Sequence, residues 1–290
     1  MPEVTIIGDV MLDRYWHATA TRVNPEAPGV VCAVTSTTAS LGGAGAVAHI
    51  AAGLGLTVNA GCRLGKDADG YHAHELLVQD CLSTAVNWTD ARTTCKQRVI
   101  TNGGLMPDRF DFEDRREHDA DATVLDKLEL GRVVIVSDYA KGFCSTAVMQ
   151  HLKAISGDSF VVVDPARGRP ISHYPAADLV KLNAFEAGAL TGAGPIDAAR
   201  LLADRHGVAV VVTDGAHGIY FCDGSVELFQ PAVKANVCDV TGAGDTVAAA
   251  LALAFLNRLS WPDTLELAAE LAAKQVAQIG VQQVAAECLN

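Results

Sequence analysis

The stretch DVTGAGDTVAAALALAFL (residues 239–256) places two glycines and two aspartates directly before an alanine-rich apolar run. The apolar run predicts a buried helix, and the small residues before it predict a tight turn at the helix N-terminus. Backbone N–H groups at such a turn point outward at the positive end of the helix dipole and can hold an anion. Asp245 would lie in the first helical turn, where a carboxylate is favourable even without a function. Two alternatives follow for Asp245: a helix-start carboxylate or a catalytic base.

The turn and the carboxylate together could serve one chemical reaction. Backbone amides could hold a phosphoryl group while an aspartate accepts a proton from an attacking hydroxyl. The residues of this candidate device are Asp239, Thr241, Gly242, Ala243, Gly244 and Asp245. The sequence therefore predicts phosphoryl transfer as one function of this stretch.

The composition describes a compact globular protein and disfavours several functional classes. Half of the 290 residues are hydrophobic and 19% are charged, which provides material for a large core. Lys and Arg number 22 against 34 Asp and Glu, and the cations are scattered, so no nucleic-acid partner is expected. The eight cysteines contain no CxxC pair, and no stretch resembles a signal peptide or a membrane span. We therefore expect a cytoplasmic protein without a membrane partner.

Short β-branched runs alternate with helical segments, which predicts a mostly parallel sheet covered by helices on both faces. The runs are residues 4–9, 57–62, 132–138, 160–165, 178–183 and 208–214. Polar residues close five of them: Asp9, Asp138, Asp164, Asn183 and Asp214. Open α/β sheets bind ligands beyond the carboxyl ends of their strands, so these residues are candidates for a site. Turn and helix-cap roles are the alternative for about half of them.

Two stretches interrupt this alternation. Residues 14–40 and 94–113 contain short strands with turn signals and no helical period, so they predict a small separate β-sheet. This sheet is interpreted as a lid over the strand ends, with a surface ribbon as the alternative. Residues 242–280 predict two helices separated near Pro262. We expect one domain over residues 1–290, with a two-domain organisation as the alternative.

Other motifs match known patterns only weakly. GAGAVA (43–48) has the Gly-x-Gly-x-x-Ala form of a dinucleotide fingerprint, but six residues separate it from the preceding strand-like run. GCRLGKD (61–67) lacks the spacing and the Ser or Thr of a phosphate loop, and His72 and His74 would diverge on a helix. A nucleotide-dependent oxidoreductase therefore remains an alternative that rests on GAGAVA alone.

The segment DVTGAGDTV resembles the C-terminal signature of the ribokinase-like (PfkB) sugar kinases. Further matches extend along nearly the whole chain and are similar to the heptose 7-phosphate kinase branch of that family: GDVMLDRYW (8–16), NPEAP (24–28), GGAGAVA (42–48), RFDFE (109–113) and SDYAKG (137–142). The resemblance implies a three-layer α/β sandwich with a mostly parallel central sheet and a small β lid. It also implies ATP-dependent phosphorylation of a sugar, most closely the anomeric hydroxyl of a heptose 7-phosphate.

The resemblance also implies roles for individual residues. Asp245 would be the general base, and the amides of Gly242, Ala243 and Gly244 would stabilise the transferring phosphoryl group. The implied substrate contacts are Asp13, Gly42, Gly43, Lys96, Arg98, Arg109, Asp138 and Lys141. The implied nucleotide contacts are Asn183, Glu186, Thr213, Gly215, Gly218, Asp239 and Thr241. Asn183 and Glu186 would also organise Mg²⁺, and a monovalent cation such as K⁺ is a further expectation. A helix-start carboxylate is the alternative for Glu186.

The sequence departs from the family pattern at one position that the resemblance places near the sugar. Ala46 stands where the family usually has an Asn that contacts the substrate, so we expect a broadened or altered sugar preference. The expected partners are ATP and a small sugar phosphate, with homodimerisation through the β lid. We expect the kinase to act without the nucleotidyltransferase domain that some heptose kinases carry. A non-catalytic sugar-binding protein of the same fold is the second alternative.

Overall fold

A computed structural model describes residues 1–101, 104–114 and 120–283. Its strands divide into a large central sheet and a small second sheet. The strands of the described residues are β1 (Val4–Gly8), β2 (Val10–Val23), β3 (Val30–Gly43), β4 (Val58–Gly65), β5 (Cys81–Thr89), β6 (Cys95–Thr101), β7 (Gly104–Phe112), β8 (Val133–Ser137), β9 (Phe160–Asp164), β10 (Leu179–Asn183), β11 (Ala209–Thr213), β12 (Gly218–Cys222) and β13 (Glu227–Pro231).

The central sheet has nine strands in the order β13-β12-β11-β10-β9-β8-β1-β4-β5. The strands from β5 to β11 in this order are parallel, and β12 and β13 pair antiparallel at one edge. All six strands expected from the sequence are present. Three strands were not anticipated: β5 and the β12–β13 hairpin lie at the two edges of the sheet, where hydrophobic runs are less continuous.

Seven α-helices are assigned within the described residues. They are α1 (Ala44–Gly53), α2 (Ala68–Asp80), α3 (Thr146–Ile155), α4 (Ala184–Thr191), α5 (Pro195–His206), α6 (Ala243–Leu256) and α7 (Trp261–Val276). Polar side chains cap several helix starts, as Ser260 does for α7 by accepting a hydrogen bond from the amide of Asp263. The two C-terminal helices match the sequence prediction. No helix in the described ranges is long and apolar enough to cross a membrane.

The central sheet is buried on both faces. Its valine and isoleucine side chains divide between two apolar clusters, one packed with α1, α6 and α7 and the other with α3 and α5. Strand pairing brings the carboxyl ends of the strands to one edge, where Ser137 lies beside Asp164 and Asn183 lies beside Thr213. The predicted three-layer arrangement therefore places the polar strand ends side by side.

The two interrupting stretches form a four-stranded sheet in the order β3-β2-β6-β7. The long hairpin β2–β3 pairs Val10 with Gly43 at its base and Val23 with Val30 at its tip. The strand β2 also pairs in parallel with β6, which in turn pairs antiparallel with β7. The separate sheet expected from the sequence is present, and we call it the lid sheet. GAGAVA follows a strand of this sheet and not a strand of the central sheet, which removes the context that a dinucleotide fingerprint needs.

Candidate active site

Asp245 lies at the start of α6, but it does not cap this helix. The N-cap is Gly242, which has a φ of +81° and carries no side-chain capping bond. The Asp245 side chain is instead buried, with the residue 6% exposed, and its Oδ1 accepts a hydrogen bond from the Tyr139 hydroxyl at 3.1 Å. The hydrogen-bond pattern therefore disfavours the capping alternative and leaves a carboxylate available for chemistry.

The environment of Asp245 raises the pKa of its carboxyl group toward neutral pH. Burial raises the pKa of Asp245 to about 6, and the neighbouring carboxylate of Asp164 adds to this rise. The ammonium of Lys181 and the hydrogen bond from Tyr139 act in the opposite direction. A base with a pKa near the working pH is largely ionised and still binds a proton strongly enough to remove it from a hydroxyl group.

Lys181 is a buried cation beneath the small-residue turn, and the sequence motifs did not identify it. Its ammonium lies 2.8 Å from Oδ2 of Asp164, and the residue is 5% exposed. A Cβ atom at Gly244 would lie 2.7 Å from the Lys181 Nζ atom, so a side chain at this position would displace the ammonium. Burial opposes the charged form, but the carboxylates of Asp164, Asp245 and Glu186, with Asp164 contributing most, together outweigh it and raise the pKa of Lys181. A lysine between apolar residues within the strand-like run DLVKLN was the available signal.

The residues before the turn support its shape. One carboxylate oxygen of Asp239 accepts the Thr241 amide at 2.9 Å and the Thr241 hydroxyl at 2.7 Å, and the other accepts the Gly280 amide at 3.0 Å. Partial burial opposes ionisation, but these hydrogen bonds lower the pKa of Asp239. Asp239 therefore joins the turn to the segment after α7. Its predicted nucleotide contact, and that of Thr241, stay predictions.

A cavity of about 800 Å³ opens beside the N-terminus of α6. The predicted nucleotide contacts Thr213, Gly215 and Gly218 line it, together with Ala243 and Gly244 of the turn. Most of the remaining wall comes from residues 232–237 and from Ala269, Ala272, Ala273 and Val276 of α7. No sequence motif marks these walls, because the small apolar residues of α7 and of the segment 232–237 form no characteristic pattern. We call this space the nucleotide-side cavity.

Asn183 and Glu186 form a reciprocal capping box at the start of α4. The Asn183 side chain accepts the Glu186 amide at 2.9 Å, and the Glu186 carboxylate accepts the Asn183 amide at 3.0 Å. The helix-start alternative for Glu186 is therefore observed, and it uses one of the two carboxylate oxygens. The part of the chain that the structure describes contains no cluster of three or more metal-binding side chains. A metal here would retain most of its own water.

Asp13 and the glycine pair lie where the lid sheet meets the central sheet. Oδ1 of Asp13 accepts a hydrogen bond from Arg98 at 2.5 Å, and the residue is 5% exposed. A Cβ atom at Gly42 would lie 2.4 Å from the other Asp13 oxygen, and Gly43 has a φ of +59°. Both positions therefore require glycine, and they bring the backbone close to the carboxylate.

The four predicted phosphate-binding cations differ in their partners. Arg98 pairs with Asp13, Arg109 forms two hydrogen bonds of 2.7 Å with Asp111, and Lys141 pairs with Glu113 at 2.5 Å. Lys96 forms no ion pair within the described ranges, and burial lowers the pKa of its ammonium. Its Nζ atom lies 5.4 Å from the ring centroid of Tyr139. Lys96 is thus the cation of this set that is ready to receive an anion.

The structure corrects two expectations. The Asp138 side chain is fully buried and accepts hydrogen bonds from Arg169 at 2.8 Å, Tyr174 at 2.7 Å and the Ala140 amide at 2.7 Å. It is therefore a structural acceptor and not a substrate contact. Ala46 is 0% exposed and belongs to the apolar core, so its methyl group does not line a sugar site.

Known proteins resemble this chain over its length. The model of the pfkB family of carbohydrate kinases matches residues 1–288. The bifunctional protein HldE of Hydrogenovibrio crunogenus is 35% identical over 97% of this chain, which spans 61% of that relative. The D-beta-D-heptose 7-phosphate kinase of Bordetella bronchiseptica is 33% identical, with 98% of this chain and 93% of the relative covered.

Solved structures agree in fold. Phosphofructokinase-2 of Escherichia coli superposes with a TM-score of 0.77 at 18% identity, covering 98% of this chain and 96% of that one. Arabidopsis thaliana ribokinase, solved with ribose and ATP, has a TM-score of 0.71 at 22% identity and 97% and 94% coverage. These neighbours support the fold alone, whereas the family model and the relatives above 30% identity establish descent. The chain belongs to the pfkB family of carbohydrate kinases, phosphotransferases that act on an alcohol group.

Proposed function

We propose that this chain transfers the γ-phosphoryl group of ATP to the anomeric hydroxyl of a heptose 7-phosphate. One observation carries the proposal: a buried carboxylate with a raised pKa lies where the nucleotide side and the lid side meet. Asp245 follows directly after Ala243 and Gly244, which line the nucleotide-side cavity. On the other side, its partner Tyr139 contacts the region of Gly43 and Lys96.

The relatives support the choice of sugar. The Bordetella bronchiseptica relative carries heptose 7-phosphate kinase in its name, and this chain covers 93% of it. The HldE relatives are bifunctional proteins, and this chain spans only about 61% of each of the first three. The proposal therefore takes the kinase activity alone and assigns no second activity to this chain.

Each step of the proposed reaction has a residue suited to it. Asp245 in its ionised form would accept the proton of the anomeric hydroxyl as the oxygen attacks the γ-phosphorus, while the bond from the γ-phosphorus to the bridging oxygen breaks and ADP leaves. The amides of Gly242, Ala243 and Gly244, at the positive end of α6, would stabilise charge on the phosphoryl oxygens. Lys181 adds a fixed positive charge beneath the same turn. Lys96 would hold the 7-phosphate, and Asp13 would orient a sugar hydroxyl.

The donor set near α4 fits Mg²⁺ bound mainly through water. Glu186 retains one carboxylate oxygen that is not used in the capping box, and Mg²⁺ characteristically keeps several waters while binding one carboxylate and substrate phosphates. When bound, the ion would neutralise charge on the β- and γ-phosphate oxygens. Asn183 and Glu186 would hold it through that water network. A monovalent cation such as K⁺ remains part of the proposal without a site assigned.

We also retain two predictions about the protein as a whole. Apolar side chains remain exposed on the lid sheet, namely Val23, Val30, Val34 and Phe110, at 46–76% of their surface. They favour homodimerisation through this sheet, which light scattering of wild type and Val34→Glu would test. A cytoplasmic location stays a prediction from cysteine usage.

An ADP-release screen tests the proposed reaction. Wild-type protein is mixed with ATP, Mg²⁺ and a panel of heptose, hexose and pentose phosphates, with the free sugars as controls. We expect ADP release to be fastest with heptose 7-phosphate and to require the phosphate. Faster turnover of another sugar phosphate would replace the substrate but keep the kinase. Sugar binding without any ADP release would favour the non-catalytic alternative.

A further inference from the structure

Tyr139 lies at a junction between the two halves of the site. Its hydroxyl donates to Oδ1 of Asp245 at 3.1 Å, and its ring lies beneath the ammonium of Lys96. A Cβ atom at Gly43 would approach its Cδ2 atom to 3.3 Å, so the ring lies against the glycine pair. The residue is still 37% exposed, which leaves part of the ring open to a ligand. The base, the glycine pair and the unpaired cation therefore share one neighbour.

The chain uses a buried carboxylate to hold Tyr139 in this place. Asp9 is 3% exposed, and its side chain accepts hydrogen bonds from the amides of Tyr139, Lys141 and Phe143, each at 2.9 Å. The same loop contains Ala140, a non-glycine residue with a φ of +54°. Such backbone strain persists only where surrounding contacts enforce it, and it concentrates at functional sites. The loop geometry is thus fixed by dedicated interactions.

The hydrogen bond from Tyr139 to Oδ1 of Asp245 also fixes the position of Oδ2. With Oδ1 held by Tyr139, rotation of the carboxylate is limited and Oδ2 stays available to a second donor. We propose that Tyr139 is a positioning residue that orients Asp245, so that Oδ2 meets the acceptor hydroxyl, and that its ring separates the base from Lys96. This inference rests on the proposed function, because it assigns Tyr139 a role in that same phosphoryl transfer.

The proposal predicts a particular pH dependence. The charged groups around Asp245 come from several elements: Asp164 of β9, Lys181 of β10, Asp13 of β2 and Tyr139 itself. Of these, the Tyr139 hydroxyl stabilises the ionised carboxylate by donating to it. Removing the hydroxyl makes protonation of Asp245 easier, so activity should fall most at low pH.

The test compares Tyr139→Phe with a matched variant, Tyr174→Phe. Tyr174 also donates to an aspartate, Asp138, at 2.7 Å, but that carboxylate is buried away from the nucleotide-side cavity. For Tyr139→Phe, we expect the loss of kcat relative to wild type to be about fivefold greater at pH 6 than at pH 8.5. The Tyr174→Phe variant should show the same relative kcat at both pH values. A pH-independent loss in Tyr139→Phe, or no loss, would overturn the proposal.

A second readout does not depend on turnover. Carbon-13 NMR of protein labelled at aspartate carboxyls would follow the Asp245 signal, which is identified by its absence in Asp245→Asn. Its titration midpoint should move to higher pH in Tyr139→Phe and stay unchanged in Tyr174→Phe. An unmoved midpoint in Tyr139→Phe refutes the positioning role even in an active kinase. A moved midpoint in a protein that turns over no sugar phosphate supports the Tyr139–Asp245 interaction and refutes the proposed function instead.

Discussion

The nucleotide side and the lid side of the site differ in the residues that line them. The nucleotide-side cavity is lined mainly by glycines, alanines and valines of β12, α6, α7 and residues 232–237, and also by Thr213, Lys234 and Asn236. The lid side is built from charged residues, and some of them pair over long sequence distances, as Asp13 does with Arg98, 85 positions away. A wall made mostly of small residues leaves room for a large ligand and offers few charges to it, whereas paired charges fix the orientation of the groups that they contact. For the proposed reaction, we therefore expect the lid side to determine the specificity for the sugar phosphate.

The largest effect is expected at the boundary between the two sides. Asp245→Asn should lower kcat by about two to four decades with little change in ATP affinity, because a positioned general base contributes about that much. Steady-state kinetics and calorimetric ATP titration measure the two quantities. A variant that keeps more than about a third of the wild-type kcat would return Asp245 to the role of a helix-start carboxylate.

The same substitution should stabilise the fold at neutral pH. The pKa of Asp245 is raised from 3.8 to about 6, so the folded state favours the protonated form. Stability therefore falls as the pH rises from about 4 to 6, and the full penalty persists above 6. Asparagine carries no charge, and the free energy of unfolding at pH 7.5 should rise by on the order of 1–3 kcal/mol. Urea denaturation measures this change, and a decrease would indicate a capping role.

A substitution of Lys96, the cation without an ion pair in the described ranges, tests the role of the lid side in binding the sugar phosphate. Lys96→Met should raise KM for the sugar phosphate by about 10- to 100-fold, since a charge-assisted hydrogen bond to phosphate is lost, and should leave KM for ATP unchanged. Arg109→Met is the matched control on the same sheet, because Arg109 is already paired with Asp111. Equal effects of the two variants, or a change in KM for ATP, would remove the distinction between the two sides.

A smaller effect is expected on the nucleotide side at Glu186. Glu186→Gln keeps an oxygen for the capping box but removes the charge. The Mg²⁺ concentration for half-maximal rate should rise by about threefold to tenfold, the low end of the cost of altering a metal-supporting residue. The melting temperature should change little. A lower melting temperature at unchanged Mg²⁺ dependence would assign Glu186 to the capping box alone.

The smallest catalytic effect is expected at Ala46, which the sequence placed near the sugar and the structure places in the core. Ala46→Asn should cost about 1–3 kcal/mol of stability through overpacking, with unchanged relative kcat/KM across a panel of sugar epimers. Ala52→Asn on the same helix, at a half-buried position, is the control and should cost less. A narrowed sugar profile at unchanged stability would restore the original expectation for position 46.

The sequence predicted the features that local chemistry determines. The small residues at 242–244 predicted a tight turn, where Gly242 has a φ of +81°, and β-branched runs predicted the strands of the sheet interior. Side-chain partnerships were not predictable in this way. Two examples depend on packing between distant segments. The Asp138 carboxylate accepts hydrogen bonds from Arg169 and Tyr174, and the Lys181 ammonium lies close to Gly244 of the turn. Tyr139 was missed for the same reason, since no spacing in the sequence relates it to Asp245.

The most direct test of Asp245 as the base is the pH dependence of a ratio. Single-turnover phosphoryl transfer is measured for wild type and for Asp245→Asn from pH 5 to pH 8 with the same substrates, so that substrate ionisation cancels. Because the pKa of Asp245 is about 6, roughly a tenth of the wild-type base is ionised at pH 5, so the ratio there should be about one tenth of its plateau value. It should then rise with a midpoint near pH 6 to a plateau of about two to four decades. A ratio that stays constant across this range would contradict the assignment of Asp245 as the base.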